Sequence, residues 1–201
     1  MTQAVAWDVD GTLVDSEGLH HASLTAVSAR YGVSVPEDDE RFTGVSLDQV
    51  WPMLRDSYPA ELRQSEWEQA ITQAYLVRAP QLRAFPGALE TMAALQRAGI
   101  RQCCASNSSR VIVTANLEAI GALSFLAFSI SRDDVEHGKP DPEPYREACH
   151  RLRLAPADVL VVEDSETGIA SARAASCRVL RFGAKFAGYR QVLDAVLGHT
   201  V

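Results

Sequence analysis

Ala4-Val5-Ala6-Trp7-Asp8-Val9-Asp10-Gly11-Thr12-Leu13-Val14-Asp15-Ser16 is the stretch on which the reading of the chain turns. Its first half is a short apolar run with β-branched and aromatic residues, the signature of a buried strand. The run stops at two aspartates and a glycine. Side chains alternate along a strand, so Asp8 and Asp10 are expected to point the same way at its mouth. Two carboxylates on one side repel each other unless a cation lies beside them or one is protonated. Mg²⁺ answers that need, because it is held by one or two carboxylates together with phosphate oxygens. Asp and Gly are also ordinary turn formers, so this stretch alone leaves an acidic turn open.

The chain around it has 201 residues, 47% of them hydrophobic, enough for one domain or for a core with a small second domain. A formal net charge of −7 argues against nucleic acid and membrane surfaces as partners. No stretch has the length of a membrane span, and no charged-then-apolar signal segment is expected before the first strand. Nothing suggests an obligate partner, so a monomer is expected, in the cytoplasmic setting that the cysteines suggest. Cys103, Cys104, Cys149 and Cys177 lack metal-ligand spacing and read as reduced, buried residues. Lysine is scarce: Lys139 and Lys185 are the only two.

No second strand is expected before about residue 100. Asp15 or Ser16 can cap a helix to about Tyr31, with Gly32 as its stop. Pro36 to Phe42 reads as a short acidic helix or turn. Ser46 caps a segment through Val50, Trp51 and Leu54, with a kink or break expected at Pro52. Ser65 and Glu68 have capping-box spacing for a helix towards Val77. Residues 16–83 are too long for a simple crossover and are expected to form an inserted helical domain. From Phe85 onward helices and strands alternate. Expected strands are Arg101–Ser106, Leu126–Ile130, Asp158–Glu163 and Cys177–Arg181. Expected helices start at Pro86, Arg110, Pro142, Thr167 and Tyr189. The alternation predicts an α/β fold, a Rossmann-like parallel sheet formed by residues 1–15 and 84–201.

In such sheets ligands bind beyond the carboxyl ends of the strands. There the sequence places Asp8 and Asp10, then Ser106-Asn107-Ser108-Ser109, then His137-Gly138-Lys139-Pro140-Asp141-Pro142, then Glu163-Asp164-Ser165. Carboxylate pairs, hydroxyls and a lysine are the parts phosphoryl transfer needs: a metal site, oxygen-binding donors and a cation for developing charge. Each part alone has a bland reading as a helix cap or solvated loop. Their succession after consecutive strands is what gives them weight.

D-V-D-G-T-L-V-D-S, A-S-N-S-S, H-G-K-P-D-P and V-V-E-D-S-E-T-G-I, in that order, resemble the four motifs of the haloacid dehalogenase superfamily. The helical insert after the first motif resembles its β-phosphoglucomutase-like branch of sugar-phosphate phosphatases. The resemblance implies that Asp8 is the nucleophile forming an aspartyl-phosphate. Asp10 would act as general acid and base, with its backbone carbonyl on the metal. Ser106, Asn107 and Lys139 would hold the phosphoryl group, and Glu163 and Asp164 would complete a Mg²⁺ site with Asp8 and Asp10. Residues 16–83 would form a cap that reads a small phosphorylated substrate through Gly44, Val45, Ser46 and His20, with Thr12 near the cap–core cleft.

Departures from the family sharpen this. An acid at position 10 favours phosphoryl chemistry over dehalogenation. Residues 16–83 hold no lysine, so the Schiff-base phosphonatase branch does not fit. The mutases resembling this chain carry an arginine in the cap loop, where Leu47 stands here. That favours a phosphatase over a mutase unless Arg41, Arg55 or Arg110 substitutes. A non-catalytic sugar-phosphate sensor is disfavoured by the intact acids and lysine.

Overall fold

β1 (Ala4–Trp7) is the central strand of a parallel sheet, and both its faces are covered. Val5, Trp7 and Val9 pack into one hydrophobic cluster, whereas Ala4 and Ala6 pack into another on the opposite face. Burial on both sides explains why the strand is apolar without alternation. The computed structural model describes residues 2–36, 39–42, 45–183 and 188–198, and among these the sheet has five strands in the order β3-β2-β1-β4-β5. The others are β2 (Arg101–Ala105), β3 (Ser129–Ile130), β4 (Val159–Glu163) and β5 (Arg178–Arg181). Trp7 aligns with Cys104 on one side and Val162 on the other, so the chain leaves all three central strands at one level. Inside the sheet the polar groups are satisfied: Trp7 Nε1 donates to Gln102 Oε1 at 3.0 Å, and Gln102 Nε2 donates to the Met92 carbonyl at 2.9 Å.

Three helices intervene between β1 and the rest: α1 (Glu17–Ala29), α2 (Leu47–Leu54) and α3 (Gln64–Leu76). They build their own cluster from Leu24, Val27, Val50, Trp51, Leu54, Tyr58, Trp67 and Ile71 among others. Tyr58 stacks on Trp51 with ring centroids 5.8 Å apart. Leu19 and Tyr75, at the ends of α1 and α3 nearest the sheet, join the sheet's cluster instead. After them come α4 (Ala88–Arg97), α5 (Arg110–Ala119), α6 (Glu143–Leu152), α7 (Glu166–Ala174) and α8 (Arg190–Leu197).

Several boundaries differ from the sequence reading. The helix α2 runs through Pro52 without a break. Proline removes the bond to the carbonyl four residues back, but this helix ends two residues later, and Val50, Trp51 and Leu54 anchor it. The capping box of α3 is made by Arg63 and Glu66, not Ser65 and Glu68. Ser65 lies inside the first turn. The helix α4 begins at Ala88, because Gly87 adopts a left-handed φ of 88° just before it. The strand β3 keeps two residues of its five-residue expectation, since it is an edge strand pairing only through Cys104 and Ala105.

Candidate active site

The carboxyl ends of the strands open onto a cleft of roughly 1100 Å³ between the sheet and the helical insert. Asp8, Asp10, Ser106, Asn107, Lys139, Glu163 and Asp164 all line it, as do His20, Val45 and Ser46 from the insert. The sequence-selected residues therefore converge, apart from Thr12, which is buried against Asp164, and Gly44, which lies outside the described residues.

Asp8 follows the last residue of β1, and its N–H donates to the Val162 carbonyl at 2.9 Å. This places it beside Glu163, the buried end of β4. Lys139 Nζ lies between them, donating to Asp8 Oδ1 at 2.7 Å and to Glu163 Oε1 at 2.6 Å. All three side chains are buried. Burial pushes the Asp8 carboxyl well up, and the Glu163 charge adds to this, against the opposing pull of Lys139. Burial alone would lower the Lys139 ammonium, but Asp8 and Glu163 outweigh it and raise it. Asp8 Oδ2 is buried with no hydrogen-bond partner. An orphaned carboxylate oxygen in an acidic pocket is unfavourable until a cation or a phosphorus centre meets it.

Two details hold this pair in place. Asn107 clamps the Lys139 loop from both sides: its Nδ2 donates to the Lys139 carbonyl at 3.0 Å, and its Oδ1 accepts from the Lys139 N–H at 2.7 Å. Ser165 caps α7, accepting from the Gly168 N–H at 3.0 Å, and donates to Glu163 Oε2 through both its N–H (2.8 Å) and its hydroxyl (2.9 Å). Gly168 is needed here, since a Cβ would lie 1.7 Å from Glu163 Oε1.

Asp164 lies across from Asp8. Thr12 Oγ1 donates to its Oδ1 at 3.0 Å, and its Oδ2 overhangs Gly11, where a Cβ would sit 2.4 Å away. Gly11 has φ +79°, so the turn after the strand demands glycine twice over. Burial, then the Glu163 charge, raises the Asp164 carboxyl. Oxygens of Asp8, Glu163 and Asp164 lie within 4.8 Å of one another. The donor set fits a hard dication: Asp8 Oδ2 is free, and Asp164 is lightly engaged. Both Glu163 oxygens already accept hydrogen bonds, so Glu163 adds charge more than a ligand atom.

Asp10 lines the same cleft as Asp8 but lies past the strand, which stops at Trp7 before the chain turns at Gly11, and it has partners of its own. Its Oδ1 accepts from Ser16 Oγ (2.7 Å), His20 Nε2 (3.0 Å) and Asn116 Nδ2 (2.8 Å). Its Oδ2 accepts from Ser106 Oγ (3.0 Å) and Ser108 Oγ (2.9 Å). Burial would raise the Asp10 carboxyl, but His20 and these hydroxyls hold it well below the usual range. His20 moves the other way: burial would lower it, and Asp10 raises it. The imidazole lies over Tyr75 with centroids 4.4 Å apart, and the Tyr75 hydroxyl donates to Asn116 Oδ1 at 2.8 Å. Asn116 and Tyr75 escaped the sequence reading because each looks like an ordinary polar break in a helix face. Ser109 and His21 also line the cleft, and Ser109 Oγ and His21 Nε2 are buried without a hydrogen-bond partner.

The arginines named as substitutes for the missing cap arginine are engaged elsewhere. Arg41 pairs with Asp39, Arg55 donates to the Tyr58, Pro59 and Ala60 carbonyls, and Arg110 pairs with Asp134. None of the three lines the cleft.

The family model described as haloacid dehalogenase-like hydrolase matches residues 2–176. The chain is 30% identical over 178 residues to the validoxylamine A 7'-phosphate phosphatase of Streptomyces hygroscopicus subsp. limoneus, covering 87% of this chain and 83% of that one. It is 36% identical over 193 residues to a phosphoglycolate phosphatase of Nitrosospira multiformis, covering 88% and 81%. The crystal structure of CbbY from Rhodobacter sphaeroides in complex with phosphate superposes with a TM-score of 0.81 at 29% identity, covering 94% of this chain and 92% of that one. With its strand-end acids and lysine gathered in one cleft, the chain belongs to the haloacid dehalogenase-like hydrolases, as a phosphoric monoester hydrolase.

Proposed function

We propose that the chain is a Mg²⁺-dependent phosphatase of a small phosphorylated metabolite, a sugar or sugar-acid phosphate, working through an aspartyl-phosphate on Asp8. The observation that carries this reading is the state of Asp8: Lys139 fixes Oδ1, while Oδ2 is buried and unpartnered beside the cleft. Oδ2 attacks the phosphorus, and the ester oxygen leaves with a proton that Asp10, ionised at rest, relays from the protonated His20 at its Oδ1. Asp10 then takes a proton from the water that hydrolyses the intermediate and returns it to His20. Ser106, Asn107 and Lys139 surround the phosphoryl oxygens, Lys139 as a point charge. Asp8, Asp164 and the Asp10 carbonyl would hold the metal, with Glu163 adding negative charge beside them. When bound, Mg²⁺ neutralises the carboxylates and the phosphate oxygens.

Residues 16–83 act as the cap, with Val45, Ser46 and His20 facing the substrate, and residues 1–15 and 84–201 as the catalytic core. Phosphatase relatives support the activity, and sugar-phosphate and phosphoglycolate names among them support the substrate class. No helix among the described residues is long and apolar enough to cross a membrane, and the four cysteines are free and buried, which suits a reduced, cytoplasmic setting. Screening phosphorylated metabolites with and without Mg²⁺ for released phosphate tests this reading. Conversion of glucose 1-phosphate to glucose 6-phosphate with no free phosphate would replace it with a mutase.

A further inference from the structure

Among the described residues, the cleft's cations are few. Lys139 is spent on Asp8 and Glu163, His20 on Asp10, and Arg181 pairs with Glu166. Arg132, just past β3, is different. Its Nη2 reaches across the cleft to Asp48 Oδ2 on α2 at 3.1 Å, joining sheet to insert over 84 residues of sequence. The rest of the side chain is fixed. Its backbone N–H donates to the Ser108 carbonyl at 2.9 Å, and Nη1 donates to the Val135 carbonyl at 2.9 Å. Its Cδ lies over Gly138, where a Cβ would come within 3.0 Å. Arg132 is thus tied through Ser108 to the same loop whose Ser106 faces Asp10, and is aimed away from it towards the insert.

We infer that Arg132 is the subsite for a second anionic group of the substrate, with Asp48 as its stand-in when the cleft is empty. This rests on the phosphatase reading and specifies its substrate: a phosphate ester bearing a second oxyanion at its far end. The chemistry favours exchange. Asp48 is 41% exposed on its side chain, so its pairing is solvent-screened and weak. A bound carboxylate or phosphate meets a guanidinium already held in one direction by carbonyl and glycine contacts, which lowers the ordering cost of binding. Glu17, Asp48 and Glu68 on the insert side add negative charge to the lining. Arg132 is the buttressed cation that spans sheet and insert there, whereas Arg181 lies more exposed at its pair with Glu166, so Arg132 bears on which anionic substrates enter.

The test compares three esters in Mg²⁺: 6-phosphogluconate, with a carboxylate far from its phosphate; fructose 1,6-bisphosphate, with a second phosphate; and glucose 6-phosphate, with neither. Wild type is expected to favour one of the two dianionic-end esters over glucose 6-phosphate, and which one tells carboxylate from phosphate. Arg132→Met should lower that preference, as a ratio of kcat/KM, about 10- to 100-fold, the loss expected for a charge-assisted contact. Arg132→Lys should recover part of it. Asp48→Asn, which removes the competitor, should increase the preference. If Arg132→Met and Asp48→Asn shift all three esters in parallel, the pair is only a strut between sheet and insert, and the subsite is refuted. If none of the three nor p-nitrophenyl phosphate releases phosphate, the hydrolase reading falls first and takes the subsite with it.

Discussion

Asp8 and Asp10 are two residues apart yet live in opposite electrostatic worlds. Asp8 has one cationic partner, three acidic neighbours and a bare oxygen; Asp10 has five donors, one of them an imidazole. The bare Oδ2, rather than the order of the two pKa values, is what marks Asp8 as the proposed nucleophile, and the donors around Asp10 suit its proposed part in proton handling. Asp8→Asn should reduce phosphate release by at least about 10⁴-fold, as loss of a nucleophile does, while Lys139 keeps Glu163 and the thermal midpoint stays near that of wild type. Steady-state assays and a melting curve check both halves, and substantial residual turnover would refute the assignment. The His20–Asp10 pair makes a pH prediction. The folded His20 pKa is raised, so its contribution to stability is fully present below the unfolded value of about 6.5 and is lost as pH rises through the folded value. The gap in thermal midpoint between wild type and His20→Asn should be widest near pH 6 and shrink upward. A gap that does not change with pH would mean the pair is not ionic.

At the scale of elements, Asp8 and Glu163 are delivered by the ends of strands, and Glu163 is locked by the start of a helix. Ser165 caps α7 and grips Glu163 at once, and Gly168 leaves the room this needs. Gly168→Ala places a methyl where the Glu163 carboxylate lies; it should cost about 1–3 kcal/mol as an overpacked core does, and lower kcat by displacing Lys139. Unchanged stability and rate would show that Glu163 is free to move aside. Legibility in the sequence also divides at this scale. Residues that leave a strand at its carboxyl end, such as Ser106, Lys139 and Asp164, are ordered along the chain and could be read from it. Tyr75 and Arg132 come to the cleft, and Asn116 to Asp10, through helix packing and loop direction, which no local spacing encodes. The extent of α2 past Pro52 and the cap of α3 at Arg63 were decided by packing and by a Glu66 salt bridge, not by the propensity that pointed to Pro52 and Ser65.

For the whole molecule, the sheet gathers three acidic side chains around one buried point, a costly arrangement that a dication relieves. Mg²⁺ should therefore raise the thermal midpoint of the wild-type chain, by an amount set by concentration over dissociation constant, about 2.7 kcal/mol at a hundredfold excess. Chelation should reverse it, and Asp164→Asn should abolish most of it. An equal rise in Asp164→Asn would place the ion elsewhere. The helical insert has its own core, and it meets the sheet at Asp10 through Ser16, His20 and Tyr75. Any movement of the insert against the sheet is thereby felt by Asp10.

Mixing the enzyme with Mg²⁺ and a substrate that it hydrolyses, quenching within the first turnover and reducing with borohydride would convert any acyl phosphate to an alcohol. Peptide mass analysis then locates it. Phosphoryl transfer to Asp8 predicts homoserine at position 8 in the substrate-treated sample and in no other carboxylate. Full turnover with an unmodified Asp8, or a label on another residue, would contradict it.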